Sequence, residues 1–129
     1  MNLLEWTKIF VEQKDLLHRK LLSSQVKERT ISFVFKDRTH EYFIEEILDE
    51  QILKKIEPHE YKTIVCLYKK ENLNFLIKHW KAIAAILNLS FIFVDIAQDR
   101  KWIINPHTHN SIADNASLEL GLKTMFENA

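Results

Sequence analysis

The chain has 129 residues, of which 47% are hydrophobic and 28% charged, a length and balance that fit one folded domain and exclude wholesale disorder. Its 18 basic residues match its 18 acidic ones, so no large sequence-independent attraction to nucleic acid or an anionic membrane is expected. With one cysteine and one glycine, the chain has no internal disulfide, and it cannot build the several-glycine turns of a P-loop or a Rossmann dinucleotide site.

The N-terminal stretch, residues 3–22, predicts an amphipathic helix. Leu3, Trp6, Phe10, Leu17 and Leu21 fall on one face, and Leu4, Ile9 and Leu16 widen it. Asn2 is a candidate cap with Glu5 three residues on, the spacing of a capping box. Glu5 also interrupts any basic-then-apolar leader pattern. Residues 30–36, TISFVFK, alternate Ile31, Phe33 and Phe35 against Ser32, Val34 and Lys36, as a strand with one buried face does. Residues 41–56 read as a helix on the spacing of Phe43, Ile44, Ile47, Leu48, Ile52 and Ile56. The alternative is a hairpin strand through Tyr42, Phe43 and Ile44 before a shorter helix. Pro58 stops the helix.

The centre of the chain predicts a βαβ unit. KTIVCLY (62–68) and LSFIFVDI (89–96) are fully apolar runs, and helical spacing links Leu73, Leu76, Ile77, Trp80, Ile83, Ala84 and Leu87 between them. Asn72 is a candidate cap of that helix, and Asn88 a candidate for the left-handed backbone that glycine would otherwise supply. Cys66 lies mid-strand, where a thiol behaves as a small hydrophobe. A lone reduced cysteine suits a cytoplasmic setting. KWIIN (101–105) follows a turn too short for a crossover and is expected to run antiparallel. Residues 105–115 read as a polar loop and 116–127 as a final helix. That helix contains Gly121, a position where a close packing contact would explain the missing side chain. Trp102, on the sheet edge, either completes the core with Trp80 and Trp6 or marks a docking edge.

The expected architecture is a single α/β domain over residues 1–129. It is a mixed, mostly parallel sheet of about four strands with helices on both faces, in the order α-β-α-β-α-β-β-α.

Three constellations are candidates for chemistry. If strands 30–36, 62–68 and 89–96 run parallel, Lys36, Arg38, Lys69 and Lys70 gather at their carboxyl ends as an anion site, where open α/β sheets bind ligands. His59, His107 and His109 gather at the other end. An extended His-x-His presents both imidazoles to one side, which suits a divalent metal. Glu60 and Lys62 form a Glu-x-Lys pair that, with Asp49 or Asp37, would serve a metal-dependent nuclease. No serine lies in a glycine-flanked elbow. Each set has a commonplace alternative as ordinary charged loop. The expectation is therefore a non-catalytic cytoplasmic domain that binds a protein partner or a second copy of itself, with no cofactor. The alternative is a small metal-dependent hydrolase or nuclease.

Overall fold

The computed structural model describes residues 1–57 and 60–129. Helix α1 (Leu3–Asp15) leads into a meander of β1 (Leu21–Lys27), β2 (Thr30–Phe35) and β3 (Thr39–Ile44). A short helix α2 (Glu50–Lys54) precedes β4 (Tyr61–Leu67). Helices α3 (Lys70–Lys78) and α4 (Trp80–Ala84) then lead to β5 (Leu89–Asp95) and its hairpin partner β6 (Arg100–Ile104). Helix α5 (Pro106–Ile112), a 3-10 turn at Asn115–Ser117 and α6 (Leu118–Glu127) end the chain. The six strands form one sheet in the order β1-β2-β3-β4-β5-β6. The β3–β4 and β4–β5 ladders are parallel and the other three antiparallel. Among the described residues no helix is long and apolar enough to cross a membrane.

The expected adjacent, parallel pairing of 62–68 with 89–96 is present, as is the antiparallel last strand. The sheet nevertheless has six strands rather than four and is mixed rather than mostly parallel. Two strands replace predicted helix. In the first, the helix over 3–22 stops at Asp15, whose carboxylate accepts the backbone N–H groups of Lys20 (3.0 Å) and Leu21 (2.9 Å) and so starts β1. Arg19 makes the reversal in left-handed backbone, φ 50°. In the second, 39–44 is a strand. Phe43 is buried on one face of the sheet and Tyr42 and Ile44 on the other. A strand covered on both sides carries consecutive apolar residues, which imitate helical spacing. Residues 106–112, expected as loop, are helical, with Pro106 at the first turn and Asn105 capping through Thr108 N–H. The predicted helix 71–87 breaks at His79 into α3 and α4.

The two faces are covered unequally. On one, α2, α3, α4 and α6 pack over β3–β6 in a core that includes Ile64, Cys66, Phe91, Phe93, Trp80, Trp102 and Phe126. On the other, among the described residues, α1 alone packs over Ile31, Phe33, Tyr42, Ile44, Val65 and Ile92. Trp102 and Trp80 are therefore core residues, and Trp6 stacks on Phe10 along α1, ring centroids 5.0 Å apart.

Asn72 is not a helix cap, since Lys69 holds that position. Its amide is fully buried. It accepts from Leu48 N–H and donates to the carbonyls of Glu46 and Leu67, each at 2.8 Å. It thereby ties the segment after β3 to the end of β4. Gly121 has open space where a Cβ would stand, so no packing contact accounts for it. Asn88 takes the left-handed backbone expected of it, φ 60°.

Candidate functional site

A cleft opens where the C-terminal half of α1 and the turn after it face the β2–β3 hairpin. Its volume is about 250 Å³. Val11, Lys14 and Asp15 line it from the helix, and His18 and Lys20 from the turn. Phe35, Asp37 and Arg38 come from the end of β2 and its turn, His40 and Tyr42 from β3. His40 and Tyr42 are two residues apart on a strand, so both face α1. Their rings stack with centroids 4.6 Å apart.

Beneath them a polar line crosses the sheet. Parallel register sets Tyr42 beside Thr63 and Thr63 beside Ser90. His40 Nε2 lies 2.8 Å from Thr63 Oγ1, which lies 2.8 Å from Ser90 Oγ. A hydroxyl both donates and accepts, so this line serves either tautomer of His40. Thr63 is buried, which makes it a support for the ring rather than a nucleophile open to substrate.

The charges are unevenly committed. Asp15 is taken by two backbone N–H groups, and Asp37 pairs with Lys20 at 3.6 Å. Among the described residues neither Lys14 nor Arg38 forms an ion pair. Arg38 lies over the rings of Tyr61 (4.8 Å) and Phe35 (5.9 Å), and Lys14 over Phe10 (5.9 Å). Burial, then the charges of Arg38 and Lys14, hold the His40 imidazole down at about 4, so the ring is neutral at neutral pH. Burial raises the Tyr42 phenol, with Thr63 and Arg38 acting the other way.

Of the residues singled out in the sequence, Arg38 and Asp37 line the cleft and the others fall elsewhere. Strand β2 runs antiparallel to β3, and β3 runs parallel to β4 and β5. The carboxyl end of β2 is thus at the opposite end of the sheet from that of β4. Lys36 and Arg38 are therefore separated from Lys69 and Lys70, and of these four only Arg38 enters the cleft. His107 and His109 do reach the end of the sheet where β4 starts, but on α5 rather than on extended chain. Two residues apart on a helix, they point about 200° apart. His107 Nδ1 is 2.9 Å from Ala84 O, and His109 meets Trp80 edge-on at 5.7 Å. His59 lies outside the described residues. Among those described, no three His, Cys, Asp or Glu side chains are placed to hold a metal ion.

Glu60 precedes β4, while Lys62 is buried within it. The Lys62 ammonium donates to the carbonyl oxygens of Glu57 and of Glu60, the latter at 2.8 Å. Burial lowers its proton affinity and the Glu60 and Glu57 charges oppose that. Asp49 caps α2 through Gln51 N–H. Burial raises the Cys66 thiol well above its ordinary value.

The sequence reading missed Lys14, Lys20, His40, Tyr42 and Thr63. The available signal was the hairpin alternative at 42–44. Once that segment is a strand, His40 and Tyr42 must share a face. Comparison with family models, with curated proteins and with solved structures finds no match to this chain.

Proposed function

We propose that the chain is a non-catalytic binding domain that engages a protein partner or a second copy of itself. One observation carries this reading. Leu16 and Leu17, just after α1, and Leu22, near the start of β1, are 69%, 93% and 61% exposed. They precede or begin β1, which is an edge strand that pairs only with β2 among the described residues. Apolar side chains gathered beside unpaired backbone groups favour association with another polypeptide. The polar Ser23, Ser24, Gln25 and Lys27 of β1 and the irregular register between Leu21 and Ser23 limit indiscriminate pairing along that edge. A reducing, cytoplasmic setting suits the single buried Cys66.

The metal-dependent hydrolase or nuclease reading uses a His59, His107 and His109 site, of which His59 lies outside the described residues, with Glu60 and Lys62 as separate catalytic candidates. The Lys62 ammonium bonds to main-chain carbonyls and His107 to Ala84 O instead.

Sedimentation velocity over a concentration series tests the association reading, with Leu16→Ser/Leu17→Ser as the variant. Concentration-dependent association that the variant weakens is the expected result. Two results count against the proposal. One is a strictly monomeric chain whose solution behaviour the variant leaves unchanged. The other is hydrolysis of DNA, RNA or a phosphate ester that requires added Mg²⁺, Mn²⁺ or Zn²⁺ and is lost in His107→Ala/His109→Ala.

A further inference from the structure

We propose that the cleft between α1 and the β2–β3 hairpin binds a small organic anion, a carboxylate or phosphate monoester carried on a flat apolar body. This goes beyond the association reading and uses different residues, so either can fail without the other.

Charge is the first argument. The two carboxylates in the cleft are already satisfied, Asp15 by backbone N–H groups and Asp37 by Lys20. Lys14 and Arg38 carry charge that no acidic side chain among the described residues neutralises. Both stand close enough to His40 to disfavour its protonation. The C-terminus of α1 contributes negative partial charge nearby. The Asp15 carbonyl at that end is itself bonded to the N–H groups of His18 and Arg19.

The second argument is the available donor. Thr63 occupies His40 Nε2, and Nδ1 has no hydrogen-bond partner among the described residues. The line serves either tautomer, and an oxyanion at Nδ1 would select the one in which Nδ1 carries the proton while Thr63 O–H donates to Nε2 and Ser90 O–H to Thr63. The ring then offers a neutral N–H beside two cations. Hydrogen bonds from neutral donors together with Arg and Lys charges are the usual means of holding an oxyanion.

Shape is the third. Val11, Phe35 and Tyr42 supply an apolar and aromatic wall. A cavity of about 150 Å³ is enough for benzene, so a volume of about 250 Å³ accommodates one ring bearing an acidic group. A drug-sized ligand needs more room.

The test titrates the full chain with phenyl phosphate, phenylacetate, inorganic phosphate and benzyl alcohol. Calorimetry and amide chemical shifts are the readouts. Saturable binding of phenyl phosphate or phenylacetate is expected, with shifts centred on Lys14, Arg38 and His40. Which acid binds more tightly assigns the head group. Benzyl alcohol and inorganic phosphate are each expected to bind at least about tenfold more weakly than the better acid. The variant Lys14→Gln/Arg38→Gln is expected to weaken binding by a further factor of about ten or more. Both residues are exposed, so the exchange leaves the fold intact, and an unchanged amide spectrum away from the cleft checks this. Three outcomes overturn the proposal. They are no cleft shifts with either acid at about 10 mM, equal binding of benzyl alcohol, and unaltered affinity in the double variant. Binding of inorganic phosphate as tightly as the better acid likewise overturns it, since the apolar body would then contribute nothing.

Discussion

Replacing Asn72 by Ala deletes a buried amide that makes three hydrogen bonds to main-chain groups from two segments. A net value of about 1 kcal/mol for each gives about 3 kcal/mol, and the orphaned N–H of buried Leu48 adds about 1 kcal/mol more. The expected loss is therefore about 3–5 kcal/mol, a large part of the roughly 5–15 kcal/mol that a domain possesses. Urea unfolding followed by fluorescence of buried Trp80 and Trp102 measures it, as a lower midpoint at an unchanged slope. Asn72→Asp sharpens the test. Its carboxylate still accepts from Leu48 N–H but faces the carbonyl oxygens of Glu46 and Leu67, so folding raises its pKa. A raised acid contributes most below its unfolded pKa of about 3.9 and loses that contribution as the pH climbs through the folded value. Relative to wild type at the same pH, Asn72→Asp is therefore expected to be less damaging near pH 4 than at pH 7. A cost below about 1 kcal/mol for Asn72→Ala, or an Asp variant whose deficit is flat with pH, would refute the clamp.

Gly121→Ala is expected to raise stability by about 1 kcal/mol, because α6 gains helix propensity and the added methyl meets nothing; a lower thermal midpoint would contradict the open space. His40, held near 4 when folded, makes a contribution that is complete above about pH 6.5 and is lost as the pH falls toward 4, at most roughly 3 kcal/mol. Unfolding of His40→Gln across that window should lack this slope. Cys66 should resist an aqueous thiol reagent until the chain unfolds, since it is fully buried, and fast native labelling would show β4 to be exposed. His107→Ala/His109→Ala should cost about 1–2 kcal/mol through the lost Ala84 and Trp80 contacts. Zinc stabilisation of the parent that disappears in this pair would instead revive the metal reading.

The βαβ centre was legible because its strands, buried on both faces, are long apolar runs that no loop would carry. The β1–β2 hairpin was not. Its two-residue loop is Glu28-Arg29, with Glu28 at φ 55°, and neither residue announces a turn as Asn-Gly would. Leu16, Leu17 and Leu21 also continue the helical spacing of α1 past its real end, although Leu16 and Leu17 point to solvent. The same ambiguity hid the cleft. Arg38 was legible only as one cation of an anion-binding set at the wrong sheet end, and His40 lay in the gap between the expected elements 30–36 and 41–56. Their juxtaposition with Lys14 depends on β3 being a strand and on α1 ending at Asp15. The sorting of lysines by sheet end failed on one strand direction, that of β2, which follows from the β2–β3 hairpin that the sequence offered only as the alternative.

Strand order along the sheet repeats strand order along the chain. Each strand therefore docks on the one made just before it, and no segment has to wait for a distant one to complete the sheet. The three hairpins close short loops at small entropic cost, whereas the β3–β4 and β4–β5 crossovers close longer ones. During synthesis from the N-terminus, the β1–β3 meander has its pairing partners in hand before β4 exists. At that stage Phe43, Tyr42 and Ile44 sit on an outer strand with an unfilled ladder. That interval, rather than the finished molecule, is when the chain is most exposed to pairing with a wrong neighbour.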